Sequence, residues 1–240
     1  MLKKIDAKNM YLADHGWLKS KFHFSFAEYR NMDNINFGVL RVLNDDIIQG
    51  NTGFDKHPHR DMEIISYIID GELTHEDSMA NKETLKSGEV QYMSAGKGVM
   101  HSEKNESSKD MRLLQIWIIP PEKSLASLYG SHRFTENEKH NKLLNIVSSQ
   151  KGNAKIKIYQ DVNIFVSKLD ENKSIKISME NTSTSSATAR QIYFVQIEGS
   201  SDINGIELNH GDAMEITKED LLSITALTNS HFLFIEMPES

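Results

Sequence analysis

The sequence predicts an all-β fold of two barrels in tandem, and three observations carry that expectation. Short segments rich in β-branched and aromatic residues recur along the chain, each bounded by Gly, Asn or Asp turn signals. Helical periodicity is confined to two short stretches, SLASLYGS (124–131) and KEDLLS (218–223). A pattern of strand, Gly turn, strand, Gly-acid turn, strand occurs twice: IDG (69–71) with LKSGE (85–89), and IEG (197–199) with LNHGD (208–212). Repetition of that kind marks two copies of one β unit. The chain of 240 residues is long enough for two domains of roughly 100–120 residues each.

The expected strands follow in order. In the first half they are RVLNDDIIQG (41–50), EIISYIIDGELTHEDS (63–78), GEVQYMSAG (88–96) and RLLQIWIIP (112–120). In the second half they are KIKIYQDVNIFVSKL (155–169), SIKISMEN (174–181), RQIYFVQIEG (190–199) and HFLFIEMPES (231–240). Strands so closely spaced, with turn signals between them, suit a sandwich or a barrel. The polar run from about residue 121 to 153 reads as irregular. It sets the expected division: a barrel at 1–125, a connector at 126–150 and a second barrel at 151–240. NTSTSSATAR (181–190) is a Ser/Thr-rich loop or an exposed strand edge.

Composition excludes several functions. The chain is 38% hydrophobic and 25% charged with a net charge of -7, and no basic stripe marks a nucleic-acid partner. It has no cysteine, which removes disulfides, thiolate ligands and a Cys nucleophile. MLKKIDAKNM has no apolar stretch behind its basic pair, so a signal peptide is not expected. No run approaches the ~20 apolar residues of a membrane span. A cytoplasmic protein is the expectation.

The chemistry concentrates in HPHRDMEIISY (57–67) and GVMHSEKN (98–105). In a strand, residues i and i+2 share a face. His57 and His59 therefore form one pair, and His101 and Glu103 another. Imidazole is the commonest ligand for first-row metals, and a carboxylate adds charge neutralisation. If 57–67 ran as one strand, His57, His59, Asp61, Glu63, Ile65 and Tyr67 would line one face, polar at one end and apolar further in. The glycines of SAGKGVM suit a tight turn before His101. A lone histidine on a strand is usually packed or exposed. His15, His23, His75, His132, His140, His210 and His231 are read that way, with His23 or His75 the two that could still line a pocket. Phe54, Ile65, Tyr67 and Met93 are the expected apolar lining.

These stretches resemble the pirin family of bicupins, and in particular its shorter bacterial members described as quercetin 2,3-dioxygenases. The resemblance runs through HGWLKSKFHFSFAEY (15–29), GFDKHPHRDMEIISYIIDGELTHEDSMANKE (53–83), LKSGEVQYMSAGKGVMHSE (85–103) and LLQIWIIP (113–120), nearly the whole N-terminal half. It implies two cupin (jelly-roll) β-barrels with one metal site, in the N-terminal barrel, held by His57, His59, His101 and Glu103. Cupins in general take their carboxylate from the first motif, where Glu63 stands. Pirin-like proteins take it from the second, which favours Glu103 and leaves Glu63 as a neighbour that orients a histidine. Ungapped alignment of Gly71 with Gly199, and of Gly88 with Gly211, sets the four ligand positions on Ser185, Ala187, Ile224 and Ala226. A C-terminal barrel without metal follows from that.

The resemblance implies a dioxygenase that cleaves a flavonol such as quercetin with O2 to a depside and CO, with Glu103 as the catalytic carboxylate. The cofactor would be one divalent transition metal, with Fe(II) first and Cu, Ni, Mn and Zn also compatible. The family's alternative role is a metal- and redox-sensitive regulatory protein with a protein partner and no turnover. A cupin isomerase or hydrolase is a third reading, since fold does not fix function. The expected oligomeric state is a monomer.

Overall fold

The computed structural model describes residues 1–178 and 189–239. Every segment named above as a strand contains one. The chain divides into two compact units, Tyr11–Phe134 on one side and Met1–Met10 with Thr135–Ser240 on the other. Each is a cupin domain built from a seven-stranded and a four-stranded sheet.

In the first unit the large sheet runs Leu128–Arg133, Glu89–Ser94, Glu63–Asp70, Met111–Ile118, Leu40–Ile48, Leu18–Phe22, Tyr11–Asp14, and the small sheet runs Thr52–His59, Val99–Asn105, Glu72–Asp77, Lys82–Lys86. The second unit repeats the plan: Leu2–Ile5, Ala213–Thr217, Arg190–Glu198, Ser230–Pro238, Asn163–Leu169, Leu144–Ser149, Ile156–Ile158, then Ser174–Ser178, Leu221–Ala226, Ser201–Ile203, Ile206–Leu208. The central strands of both large sheets are near-continuous buried runs, because both of their faces are covered. In the small sheet Val99–Asn105 alternates, burying its odd positions and leaving the even ones partly exposed.

The repeat has a backbone cause. Gly71 and Gly199 take φ of 80° and 69°, and Gly88 and Gly211 take 83° and 79°. Only glycine adopts that left-handed region without cost, so each copy needs one at each turn.

Three expectations are corrected. Residues 57–67 are two strands, not one: Asp61 turns the chain at φ 50°, and its carboxylate accepts from Ser124 N at 2.6 Å. SLASLYGS and KEDLLS are not helical. Leu128–Arg133 pairs with Glu89–Ser94, and Leu221–Ala226 pairs with Ser174–Ser178 and Ser201–Ile203, so sheet pairing overrides a weak local preference. The described helix is instead Glu136–Lys139, set by a Thr135/Glu138 capping box. The division at 126–150 also differs, because Leu128–Arg133 completes the first unit, Leu144–Ser149 lies in the second, and Leu2–Ile5 pairs with Ala213–Thr217. Residues 181–188 of the Ser/Thr-rich stretch, including Ser185 and Ala187, lie outside the described residues. Ile224 and Ala226 are packed in the apolar core of the second unit. Among the described residues, no helix is long and apolar enough to cross a membrane.

Candidate metal centre

The site is built where the small sheet of the first unit pairs Val99–Asn105 with Thr52–His59. His101 lies opposite His57, and Val99 opposite His59. A register shift between His101 and Glu103 places Glu103 opposite Phe54. The three imidazoles converge, with ring centroids 4.8 Å apart for His57–His59, 4.4 Å for His57–His101 and 4.8 Å for His59–His101. One nitrogen from each lies within 4.8 Å of the other two. The turn before His101 is made by Gly96 and Gly98, at φ 42° and 135°; a Cβ on Gly96 would sit 2.1 Å from Leu125 O.

The donors suit a cation. His57 Nδ1 lies 2.7 Å from the carbonyl of Asp55, which can only accept, so Nδ1 carries the proton and Nε2 keeps its lone pair. Burial, reinforced by neighbouring imidazoles, lowers His59 to about 4 and His101 to about 3, which leaves both rings neutral at pH 7. Both nitrogens of His101 are buried and have no hydrogen-bond partner in the protein. A buried polar atom without a partner costs roughly 1–3 kcal/mol, and coordination to a metal removes one such cost. The residues present therefore fit a transition-metal ion.

The two candidate carboxylates separate. Glu103 lines the same cavity as His57 and His59, and groups with His101 and His75 within 4.8 Å. Its Oε2 accepts from Gln115 Nε2 at 2.9 Å and its Oε1 from Ser66 Oγ at 3.2 Å. Glu63 is fully buried, stands in neither cluster and accepts from Tyr92 OH at 2.6 Å.

The cavity over the imidazoles holds about 170 Å3 and is walled by Phe26, Phe54 and Trp117, with Asn44, Asp46 and Gln115 as its polar members. An outer recess of about 330 Å3 shares Phe26, Asn44, Asp46 and Phe54 and reaches His15, Trp17 and Phe22. Trp117 meets His59 edge-on at 4.8 Å. Trp117 Nε1 and Asn44 Oδ1 are buried with no protein partner. Burial pushes the Asp46 carboxyl up to about 7, against the hydrogen bond from Ser20.

Of the expected lining, Phe54 is present, while Ile65, Tyr67 and Met93 are enclosed in the core. For Ile65 and Tyr67 the strand break at Asp61 explains the difference, because it uncouples their parity from that of the histidines; Met93 lies on the separate strand Glu89–Ser94. Sequence reasoning missed Phe26, Asn44, Asp46, Gln115 and Trp117. Gln115 carried a signal, since it is a polar residue within the apolar run LLQIWI of its strand. His75 joins the site from Glu72–Asp77, but His23, lowered to about 4 by burial, does not line it. His15 is 3.2 Å from Glu28, His132 packs on Phe134, His140 is 2.9 Å from Asp170 and His231 is 3.6 Å from Glu198.

Comparison with known proteins gives a consistent result. The pirin family model matches residues 5–118, and the model of a quercetinase C-terminal cupin domain matches residues 145–237. A quercetin 2,3-dioxygenase of Escherichia coli K12 is 38% identical over 229 residues, covering 94% of each chain. A pirin-like protein of Caulobacter vibrioides is 39% identical over 225 residues, covering 93% of this chain and 94% of that one. The crystal structure of the bacterial pirin YhhW of Escherichia coli in complex with nickel(II) aligns with a TM-score of 0.91 at 34% identity, covering 100% of both chains.

Proposed function

The chain belongs to the pirin family, and on that premise we propose that it is a metal-dependent dioxygenase that cleaves a flavonol such as quercetin with O2 to a depside and CO. The observation that carries this reading is an aromatic-walled cavity lined by His57, His59 and Glu103, with His101 converged on the same two imidazoles. His57, His59, His101 and Glu103 would hold one divalent transition metal, Fe(II) by preference. Bound there, the ion would acidify the flavonol 3-hydroxyl and render the ring reactive toward dioxygen.

The remaining work falls to the protein. Phe26, Phe54 and Trp117 stack against and orient an aromatic substrate. Trp117 Nε1 offers a hydrogen bond to a ring oxygen, and Asn44 Oδ1 can accept one from a hydroxyl. Glu103, held between Ser66 and Gln115, is placed to take the hydroxyl proton. The enclosing apolar walls keep water from the reacting ring. The curated relative from Escherichia coli named quercetin 2,3-dioxygenase supports the substrate class, and the nickel(II) complex of YhhW supports a metal in this family.

The test is reconstitution of metal-free protein separately with Fe(II), Mn(II), Ni(II), Cu(II) and Zn(II). Flavonol absorbance and CO release are then followed in air, with His57→Ala and Glu103→Ala in parallel. Cleavage that requires metal and both side chains supports the dioxygenase and identifies its ion. Silence of every metal-loaded form contradicts it and favours a regulatory switch.

A further inference from the structure

Behind His101, away from the substrate cavity, lies a second set of groups that the dioxygenase reading does not use. Glu72–Asp77 pairs with Val99–Asn105 so that His75 stands opposite Glu103 and Asp77 opposite His101. The side chains of His75 and Asp77 are completely buried. The His75 ring lies against Tyr129, centroids 5.0 Å apart and planes inclined by 24°, and its centroid is 5.3 Å from that of His101. Tyr129 is in turn held through its hydroxyl to Glu83 at 3.0 Å.

The proton positions can be worked out from the partners. Asp77 Oδ1 accepts from Met79 N at 2.8 Å, Asn81 N at 3.1 Å and Asn81 Nδ2 at 3.1 Å, and Oδ2 accepts from Asn81 Nδ2 at 2.8 Å. A carboxyl surrounded by N–H donors is an acceptor. His75 Nε2, 3.3 Å from Asp77 Oδ2, therefore carries the proton. That leaves His75 Nδ1 as a buried lone pair, and it has no protein partner.

His101 supplies the complement. A neutral imidazole that ligates a metal through one nitrogen carries its proton on the other. Both nitrogens of His101 are buried without partner, so a metal would satisfy one and leave an N–H on the other. Three acceptors lie near, and Asp77, opposite His101, is taken up by Met79, Asn81 and His75. Glu103 is already engaged by Ser66 and Gln115. His75 Nδ1 is not engaged, and one nitrogen of His75 lies within 4.8 Å of one nitrogen of His101.

We propose that His75 is a positioning residue for the metal centre: in the loaded protein the remote N–H of His101 donates to His75 Nδ1, tying His101 through His75 to Asp77. The inference rests on the reading of His101 as a metal ligand. It makes a buried donor and a buried acceptor answer each other, and it fixes the plane of His101 from a side that substrate never touches. Groups in this outer position typically contribute about 10–100-fold in metal affinity.

The experiment uses the full chain with zinc, which gives sharp imidazole resonances and needs no turnover. Imidazole 1H–15N spectra are recorded with and without Zn(II), together with the scalar coupling across an N–H···N bond. An N–N coupling between His101 and His75, present with zinc and absent without it, is the expected result. Zinc affinity should fall about 10–100-fold in His75→Phe and recover in His75→Gln, whose carbonyl can accept. Zinc bound by His57, His59 and His101 with no coupling to His75 overturns the inference and leaves the metal site standing. Failure of zinc to bind at all overturns both. The wild-type coupling decides the matter even where His75→Phe does not fold.

Discussion

Asp46 sits in the wall of the cavity beside His57 and His59, 3% exposed, with a pKa raised from 3.8 to about 7. Burial is the main cause; Asp45 and Glu103 add repulsion, and the Ser20 hydroxyl opposes them. A raised folded-state pKa means that the folded chain holds a proton that the unfolded chain has released. Between pH 4 and 7 the unfolded state binds fewer protons at this residue, so stability falls as pH rises. The shift is 7 minus 3.8, about three units. At 1.36 kcal/mol per unit this amounts to roughly 4 kcal/mol, lost at about 1.4 kcal/mol per pH unit. Asp46→Asn keeps the shape and removes the titration. Urea midpoints of the metal-free wild type and Asp46→Asn, measured at half-unit steps from pH 4 to 8, should diverge steadily in favour of the variant until about pH 7 and then run parallel. A constant offset across the range would refute the argument, because it would mean that Asp46 titrates alike in both states.

Three further outcomes follow from the geometry. Gln115→Leu removes the amide that donates to Glu103 at 2.9 Å; a charge-assisted bond of about 1.5–3 kcal/mol is lost, and calorimetric titration should show metal affinity at least tenfold weaker. Trp117→Phe keeps the aromatic wall but deletes the buried Nε1–H, so KM for a flavonol should rise about five- to tenfold with kcat little changed, a hydrogen bond of roughly 1 kcal/mol; an unaltered KM would show that no substrate oxygen meets the indole. Gly199→Ala forces a Cβ to 2.0 Å from Asn229 O at a φ of +69°, and thermal unfolding should reveal a loss of at least about 2 kcal/mol, in line with strain at a special backbone position.

Much of this architecture was legible before any coordinates. Strands announced themselves because buried strands need β-branched and aromatic residues and the turns between them need Gly, Asn or Asp. The convergence of His57, His59 and His101 was legible because i and i+2 spacing on a strand leaves little freedom in where the side chains point. The N-terminal strand was not legible: Leu2–Ile5 pairs with residues more than two hundred positions away, at Ala213–Thr217, and nothing local encodes such a partner. Parity beyond Asp61 failed because one left-handed residue resets it. The cavity wall was hidden for a similar reason. Phe26, Asn44 and the Gln115/Trp117 strand come from three separate segments, and only the closed sheet brings them to the cavity beside His57 and His59. The choice between Glu63 and Glu103 was open by parity alone. The structure gives them different surroundings: Tyr92 engages Glu63 in the core, while Ser66 and Gln115 bond to Glu103 at the cavity.

The central claim is that His57, His59, His101 and Glu103 act together on one ion. Its most direct test is calorimetric titration of Fe(II) or Ni(II) into metal-free wild type, Glu103→Gln and Glu63→Gln. One ion per chain should bind the wild type and Glu63→Gln with closely similar affinity, while Glu103→Gln should bind at least tenfold more weakly. Weakening in Glu63→Gln with Glu103→Gln unaffected would place the carboxylate ligand in the first motif and contradict the account.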